Sequence, residues 1–295
     1  MITTSTTEEN PMTSPTILVT GATGTVGSAL IPQLLARGVR VRAMTRNPGQ
    51  SATGYEIVLA DFNKPETLVA ALDGIDALFL NSPSTEHASE LQIRCAELAE
   101  SLGVPRIVLL SQFGARLDSS VRFLRWHAEV ENHLHGLELT GTVLRPNLYL
   151  QSLLTFSSTI ARGTLTAPIG HATVSAIDTR DLAEVAATVL STPGHENRTY
   201  TLTGPRAITH ADIALAIATA TNSPVVFRDV TEEEFASALE NFLPAWQLHG
   251  LLEDYAHYKR GEATEVTTTV EDLIKRRPRD VTDFARDHAL AFTQT

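Results

Sequence analysis

A glycine-rich stretch near the start of the chain limits most strongly what this sequence can fold into. The apolar residues 17–19 lead into Gly21-Ala22-Thr23-Gly24-Thr25-Val26-Gly27, and apolar residues at helical spacing follow over 30–35. A buried strand, a tight turn and a helix N-terminus in this order form an anion site, because backbone N–H groups and the helix dipole point to one place. An ordinary glycine turn is the alternative interpretation. The position between strand and helix favours a dinucleotide pyrophosphate.

Each of the three glycines has its own expected role in that turn. Gly21 permits a backbone angle that a Cβ would disfavour. Gly24 lets a pyrophosphate approach the backbone, and Gly27 lets the helix lie close to the strand. The stretch therefore predicts the start of a Rossmann-like domain.

Strand and helix patterns alternate without a break through the first half of the chain. This alternation implies right-handed crossovers and a parallel sheet. The predicted fold is α/β, a Rossmann-like doubly wound parallel sheet with a smaller, mostly helical substrate lobe built from later segments. The predicted strands are 17–19, 40–45, 55–60, 76–80, 106–111 and 139–144, and the predicted helices between them are 65–72, 86–102 and 119–134.

The second half is less regular, and its predicted elements are shorter. Asp178 or Thr179 is expected to cap one helix, and Thr209-x-x-Asp212 is expected to cap another. The segment around Gly163, Pro168 and Gly170 is predicted to be a loop, either a lid or an ordinary surface loop. Further predicted elements are strands 173–177, 198–202 and 225–230 and helices 232–259 and 281–288. The predicted organisation is a disordered tail (1–14), a dinucleotide-binding domain (15–150 and 172–203) and a small substrate lobe (151–171 and 204–295).

The end of the second strand predicts which nicotinamide cofactor is bound. An NAD-preferring chain usually has a carboxylate here for the ribose 2′-hydroxyl, whereas this chain has Thr45-Arg46-Asn47. A guanidinium at this place would pair with a 2′-phosphate, so NADP(H) is predicted, with Arg46 as the contact. A solvated arginine at a strand end is the alternative.

Other strand ends also carry polar residues, and ligands bind at the carboxyl ends of parallel strands. Asp61-Phe62 follows the third strand, where the acid would accept from an adenine amino group or else cap the next helix. Asn81-Ser82-Pro83 follows the fourth strand and Ser111-Gln112 ends the fifth. These residues are expected to line one cofactor cleft.

Composition excludes several functional classes. The net charge of −11 argues against a nucleic-acid partner or an anionic membrane surface. The single cysteine, Cys95, allows no disulfide within one chain and fits a cytoplasmic location. No stretch is long and apolar enough to span a bilayer. His133 and His135 lack carboxylates at ligand spacing, so no metal is expected; a homo-oligomer is left open.

Several segments together resemble the NmrA-like atypical short-chain dehydrogenase/reductases, above all their bacterial NADPH-dependent quinone reductases and triphenylmethane dye reductases. The resemblance covers about residues 16–288. Its motifs are the glycine stretch at 21–27, Thr45-Arg46-Asn47-Pro48, Leu144-Arg145-Pro146-Asn147 and Gly194-His195-Glu196-Asn197-Arg198-Thr199-Tyr200.

The resemblance implies specific cofactor contacts. The glycine stretch would hold the pyrophosphate, Arg46 the 2′-phosphate, and segments 81–83 and 146–148 would flank the nicotinamide. His127 would bond the nicotinamide ribose. The cofactor-binding residues predicted in this way are Gly21, Thr23, Gly24, Thr25, Val26, Gly27, Arg46, Asp61, Phe62, Asn81, Ser82, Pro83, Ser111, His127, Pro146, Asn147 and Leu148.

One departure from typical short-chain dehydrogenases shapes the predicted chemistry. Where they carry Tyr-x-x-x-Lys, this chain has Phe123 and His127, and phenylalanine cannot transfer a proton. Direct hydride transfer to a quinone, a conjugated enone or a cationic dye is therefore predicted. Ser111, His127 and Tyr149 are the candidate catalytic residues, and the product is protonated either by solvent or by the hydroxyl of Ser111 or Tyr149.

Two other functions remain open on the sequence. The chain could be a catalytically silent NADP(H) sensor that reports its occupancy to a protein partner. It could also be a reductase of secondary metabolism, which differs from the first hypothesis only in its small-molecule acceptor.

Overall fold

The computed structural model describes residues 14–47 and 53–293. The predicted tail therefore lies outside the described residues except for Ser14, and Pro48 of the strand-end motif lies outside them as well.

A seven-stranded sheet forms the centre of the molecule, with strand order β3-β2-β1-β4-β5-β6-β9 and parallel pairing throughout. The order reverses direction between β1 and β4, which is where a doubly wound sheet opens a crevice for a ligand. The predicted fold class is confirmed. The strands of the molecule are β1 Thr16–Val19, β2 Arg40–Thr45, β3 Glu56–Leu59, β4 Ala77–Leu80, β5 Arg106–Leu110, β6 Thr140–Pro146, β7 Thr164–Ala167, β8 Thr173–Val174, β9 Thr199–Leu202, β10 Ile208–Thr209 and β11 Val226–Asp229.

Helices cover both faces of the sheet, which explains why its central strands are apolar at successive positions. One face packs against α1 and α6, and the other packs against α2, α3 and α4. The helices are α1 Thr25–Ala36, α2 Pro65–Leu72, α3 Ala88–Ser101, α4 Arg122–Leu134, α5 Ser157–Ala161, α6 Thr179–Ser191, α7 His210–Thr221, α8 Glu232–Leu239, α9 Ala245–Lys259, α10 Thr269–Ile274 and α11 Val281–Asp287.

Two further cores lie beyond the sheet, in the later segments. One gathers α5, α7 and α11 around Ile160, Ile213 and Phe284, all fully or almost fully buried. The other packs α8 and α9 through Phe235 and Tyr255. The small sheets β8–β10 and β7–β11 each contribute residues to both of these cores.

The predicted helix caps are confirmed. The Asp178 carboxylate accepts from the Arg180 backbone N–H at the start of α6, and Thr209 and Asp212 form a reciprocal capping box at α7.

Three predicted elements were wrong or incomplete. Residues 232–259 form two helices, because Pro244 has no N–H to donate and begins α9 instead. The predicted loop around 163–170 contains β7, which pairs with β11 some sixty residues later. The strand predicted at 173–177 is only β8, and Ile177 forms an isolated bridge with Tyr149.

The helix α10 was not predicted, and it packs on α6 and β9 although its residues belong to the predicted substrate lobe. The division into lobes by residue range stays a prediction. Across 14–47 and 53–293, no helix has the combined length and apolarity needed to cross a membrane.

Candidate cofactor and acceptor site

The glycine turn between β1 and α1 leaves the helix N-terminus open. Gly21 adopts a φ of +61°, and the Gly24 N–H donates to the Gly21 carbonyl at 3.0 Å. A Cβ on Gly27 would lie 2.3 Å from the Gly21 carbonyl oxygen, so only glycine lets α1 approach the turn this closely. No side chain caps α1 and no acid lies in its first turn. The first N–H groups of α1 are therefore available to an anion.

The end of β4 lies against the same turn. The Asn81 N–H donates to the Thr20 hydroxyl at 2.8 Å, and that hydroxyl donates to the Phe79 carbonyl at 2.9 Å. A Cβ on Gly21 would come within 2.8 Å of Asn81 Nδ2. The predicted pyrophosphate turn and the predicted nicotinamide segment are thus in direct contact.

Arg46 is exposed at the end of β2 and borders a cavity of about 100 Å³. Gly21, Thr23, Phe62 and Pro83 line the same cavity. Arg46 and the glycine turn therefore lie on the wall of one cavity.

Asp61 lies next to this cavity and does not cap α2. Its carboxylate accepts from the Asn63 backbone N–H at 3.0 Å, and this bond, together with the nearby Arg46 charge, lowers the pKa of Asp61. The N-cap of α2 is Lys64, without a side-chain hydrogen bond, so the capping alternative is wrong.

A cavity of about 350 Å³ opens at the carboxyl ends of β4, β5 and β6. It brings together most of the residues predicted to surround the nicotinamide and the acceptor. Thr25 and Val26 instead begin α1, where Thr25 is exposed and Val26 is buried. The predicted residues lining the cavity are Asn81, Ser82, Pro83, Ser111, His127, Pro146, Asn147, Leu148 and Tyr149.

The Asn147 side chain stabilises the cavity wall through hydrogen bonds. Its Nδ2 donates to Ser175 Oγ at 2.8 Å and to the Ala263 carbonyl at 3.0 Å, and its Oδ1 accepts from the Leu148 N–H at 2.8 Å. The side chain thereby holds the backbone of 146–148 against the later segments.

Ser111 belongs to a buried polar network below the cavity. Its hydroxyl donates to the carboxylate of Glu131, a residue only 3% exposed, and Glu131 accepts from Arg145 Nε at 2.9 Å. The guanidinium compensates the buried carboxylate. Because its proton is directed at Glu131, Ser111 presents oxygen lone pairs to the cavity.

His127 and Phe123 lie on one face of α4 but have different surroundings. Desolvation lowers the pKa of His127 to about 4, so the ring facing the cavity is neutral near pH 7. Phe123 packs against Trp126 and Trp246, with ring centroids 5.5 and 6.2 Å away. A Cβ on Gly250 would lie 2.2 Å from Phe123 Cζ, so the ring occupies the space that a side chain at this position of α9 would need.

Sequence reasoning missed several residues that the fold brings to this cavity. Tyr258 of α9 lines it, as do Gln92 and Phe113. Asp254, buried behind the wall, accepts from Gln112 Nε2 at 3.2 Å, and burial raises its pKa to about 7. Residues of a cavity wall and residues of a packed core recur at the same spacing along an element, so the pattern alone does not distinguish them.

A Tyr-x-x-x-Lys spacing does occur on α9, but away from the cavity. Tyr255 packs on Phe235 with centroids 5.1 Å apart, and Lys259 is exposed. Over the described part of the chain, no three His, Cys, Asp or Glu side chains converge as a metal-ligand set.

Comparisons with known proteins indicate the family of this chain. A family model described as NAD(P)H-binding matches residues 21–193. An NAD(P)H azoreductase of Xenophilus azovorans is 32% identical over 94% of this chain and 99% of its own length. The triphenylmethane reductase of a Citrobacter species, solved with NADP(H), has a TM-score of 0.81 and 25% identity over 93% of this chain and 99% of its own. The quinone oxidoreductase QOR2 of Escherichia coli, solved with NADPH, has a TM-score of 0.84 and 25% identity over 92% and 99% of the two chains.

The fold and the site therefore define an NAD(P)H-dependent oxidoreductase. The chain belongs to the NAD(P)H-binding family, and its resemblance to the NmrA-like atypical short-chain dehydrogenase/reductases is confirmed.

Proposed function

We propose that this protein is an NADPH-dependent reductase that transfers a hydride directly to a conjugated or quinonoid small molecule. The observation that carries the proposal is a pair of cavities that share Pro83 in their walls. The small one is lined by the glycine turn and Arg46, and the larger one by Asn81, Pro146 and Tyr149. The relatives named as azo, quinone and triphenylmethane reductases have acceptors of this electron-poor kind.

The proposed cofactor contacts lie along these two cavities. The first N–H groups of α1 bind the pyrophosphate, Arg46 binds the 2′-phosphate, and Phe62 borders the adenine side. Segments 81–83 and 146–148 hold the nicotinamide. When bound there, NADPH supplies the hydride.

The chain's own residues supply orientation and a proton source in this scheme. In this proposal Phe123 and neutral His127 replace the usual tyrosine and lysine, so the pair supplies no activated phenol. The acceptor's conjugation must then lower the barrier, while the cavity holds the acceptor against the nicotinamide. Tyr149 lines the cavity and its phenol is protonated near neutral pH, so it is the group we assign as proton donor, although burial raises its pKa and makes it a weak acid. Ser111 is not assigned as a proton donor, because its hydroxyl proton is donated to Glu131.

A turnover screen tests the function. Purified protein with saturating NADPH is offered quinones, azo dyes, triphenylmethane dyes and conjugated enones, with an unconjugated ketone as control. We expect NADPH consumption with the conjugated compounds and none with the ketone. No turnover with any of them contradicts the proposal. Tight NADPH binding without turnover would favour the sensor hypothesis, which predicts a protein partner whose affinity changes with NADPH and NADP⁺. We also propose a cytoplasmic location for the protein, because NADPH is available there and Cys95 stays reduced.

A further inference from the structure

Two phenol hydroxyls belong to residues that line the cavity of about 350 Å³ at the carboxyl ends of β4, β5 and β6. One is that of Tyr149, which follows β6, and the other is that of Tyr258, which belongs to α9. Neither hydroxyl forms a hydrogen bond within the described residues, and neither is among the fully enclosed polar atoms that lack one. Both hydroxyls are therefore open to a ligand in the cavity.

The contacts of α9 hold the Tyr258 ring in one position. Asp254 lies one turn earlier on the same face of the helix, and it accepts from Gln112 Nε2 at 3.2 Å. This bond ties α9 to the segment that follows β5. Tyr255 packs edge-on against the Tyr258 ring, with centroids 5.9 Å apart. Because the ring is oriented before a ligand binds, a hydrogen bond from its hydroxyl costs little conformational entropy.

Both phenols are hydrogen-bond donors near neutral pH. Burial raises the pKa of Tyr149 above its ordinary range. Burial also raises the pKa of Tyr258 well above 10, and the nearby Asp254 and Tyr149 act in the same direction. That influence of Tyr149 on Tyr258 means that the two side chains are close to each other. Each hydroxyl keeps its proton and can donate it to a lone pair of a ligand.

Few other hydroxyl groups of the cavity wall have a proton to offer. Three serines of the wall donate to protein oxygens: Ser82, Ser111 and Ser152. Ser84 is the other serine of the wall. In the part of the chain that the structure describes, no lysine, arginine, aspartate or glutamate lines the cavity. Negative charge that develops on an acceptor here must therefore be stabilised by neutral donors.

We propose that Tyr149 and Tyr258 form a pair of hydrogen-bond donors, so that the preferred acceptor is a quinone, with two carbonyl oxygens, rather than a compound with one or none. This inference rests on the proposed reductase function and narrows its acceptor class. The quinone takes one hydride from NADPH and one proton from Tyr149 and becomes the hydroquinone, and solvent returns the proton to Tyr149. Tyr258 transfers no proton, and donates a hydrogen bond to the other oxygen as that oxygen gains electron density.

A binding experiment without hydride transfer tests the donor pair. Calorimetry compares two ligands of similar size with NADP⁺-loaded protein: 1,4-naphthoquinone, which has two carbonyl groups, and 1-tetralone, which has one. Tyr258→Phe should weaken naphthoquinone binding roughly three- to tenfold more than tetralone binding, the value of one neutral hydrogen bond, because tetralone can use Tyr149 alone. Tyr149→Phe should give the same selective loss, since it removes the other donor.

Tyr255→Phe is the matched control, because it removes a hydroxyl from the same helix at a residue that does not line the cavity. It should leave the ratio of the two affinities unchanged. Cys95, the single cysteine, is buried, so addition of the quinone to a thiol should not disturb the titration. Thermal midpoints show whether each variant is folded.

Two results would overturn the donor pair. Equal weakening of both ligands in Tyr258→Phe would mean that the residue acts by packing, and no weakening of either would mean that its hydroxyl does not meet the ligand.

Turnover with NADPH separates this inference from the proposed function. If naphthoquinone is reduced but Tyr258→Phe affects both ligands equally, the proposed function stands and the donor pair fails. If no quinone is reduced but the selective weakening is found, the proposed function fails and the cavity is a binding site for a dicarbonyl compound.

Discussion

At the scale of single residues, Arg46 is the side chain that should distinguish the two nicotinamide cofactors. It is exposed beside the glycine turn and borders the small cavity there. Arg46→Ala should weaken NADPH binding by about tenfold or more, the value of a charge-assisted hydrogen bond, and should leave NADH binding nearly unchanged. Calorimetry with both cofactors measures this. Arg37→Ala, an exposed arginine at the far end of α1, is the control, and equal losses for both cofactors would contradict a 2′-phosphate contact.

Tyr149 should matter only for acceptors that need a proton. A quinone needs a proton after hydride transfer, whereas a triphenylmethane cation becomes neutral by hydride transfer alone. Tyr149→Phe should therefore lower kcat for quinones by about tenfold or more, as expected for loss of a general acid, and change kcat for the dye cation little. Steady-state kinetics with one acceptor of each kind measures the ratio. Parallel losses for both acceptors would mean that Tyr149 acts by packing.

Asp254 gives the folded protein a predictable pH dependence. Burial raises its pKa from 3.8 to about 7, so the folded state binds this proton more tightly than the unfolded state. The stability contributed by the protonated acid is lost as the pH rises through that window. Asp254→Asn should remove this loss. When the pH is raised from about 5 to about 8, the unfolding free energy of the variant should therefore increase by about 2–3 kcal/mol relative to that of the parent protein.

Urea unfolding at both pH values measures the Asp254 effect. Asp118→Asn, which changes an exposed carboxylate, should run parallel to the parent protein. Parallel curves for Asp254→Asn as well would show that its carboxyl titrates normally.

At the scale of elements, the contact between α4 and α9 positions one wall of the acceptor cavity. Gly250 of α9 lies under the Phe123 ring of α4, and the same helix carries Tyr258 into the cavity. Gly250→Ala would force the Cβ into the ring, so we expect a loss of about 1–3 kcal/mol in unfolding free energy from overpacking. KM for quinones should rise as well, because α9 must move away.

A double-mutant cycle identifies the cause of the Gly250→Ala effect. Adding Phe123→Leu removes the ring that the new methyl group meets, so the combined loss should be smaller than the sum of the two single losses. Additive losses would mean that the two residues do not oppose each other.

At the scale of the whole molecule, Asp181 joins the last part of the chain to the sheet domain. It is fully buried in α6 and accepts from Arg276 Nη2 at 2.7 Å and from the Arg279 backbone N–H at 2.6 Å. The Arg279 guanidinium contacts the same carboxylate. This cluster fixes the connection between α10 and α11 against α6.

Asp181→Asn should destabilise the protein by about 3 kcal/mol or more, since two arginines lose the buried charge that they share. Glu184→Gln is the control, because Glu184 binds Arg276 from a more exposed position and should cost less than about 1 kcal/mol. Urea unfolding gives both values, and similar small losses would mean that the cluster is well solvated.

The sequence by itself determined the first half of the protein and the class of its ligand. β1, the glycine turn and α1 are adjacent in the chain, and their chemistry is local: apolar β-branched residues, then glycines, then helical periodicity. Successive strand–helix units could be read in order because each strand pairs with its neighbour in the chain, except at the crossover from β3 to β4, which passes β2 and β1. Asn81 and Ser111 could be placed in one cleft on this basis, whereas Pro146 was assigned to it by the family resemblance.

Only the tertiary structure decided which later residues meet that cleft. The pairing of β7 with β11 joins segments about sixty residues apart, and no local signal specifies such a register. Tyr258 lies among aromatic residues at helical spacing, as core residues do, so the sequence could not distinguish a cavity wall from a packed interior. Burial by neighbouring elements makes that distinction, because it sets which apolar face meets protein and which meets open space.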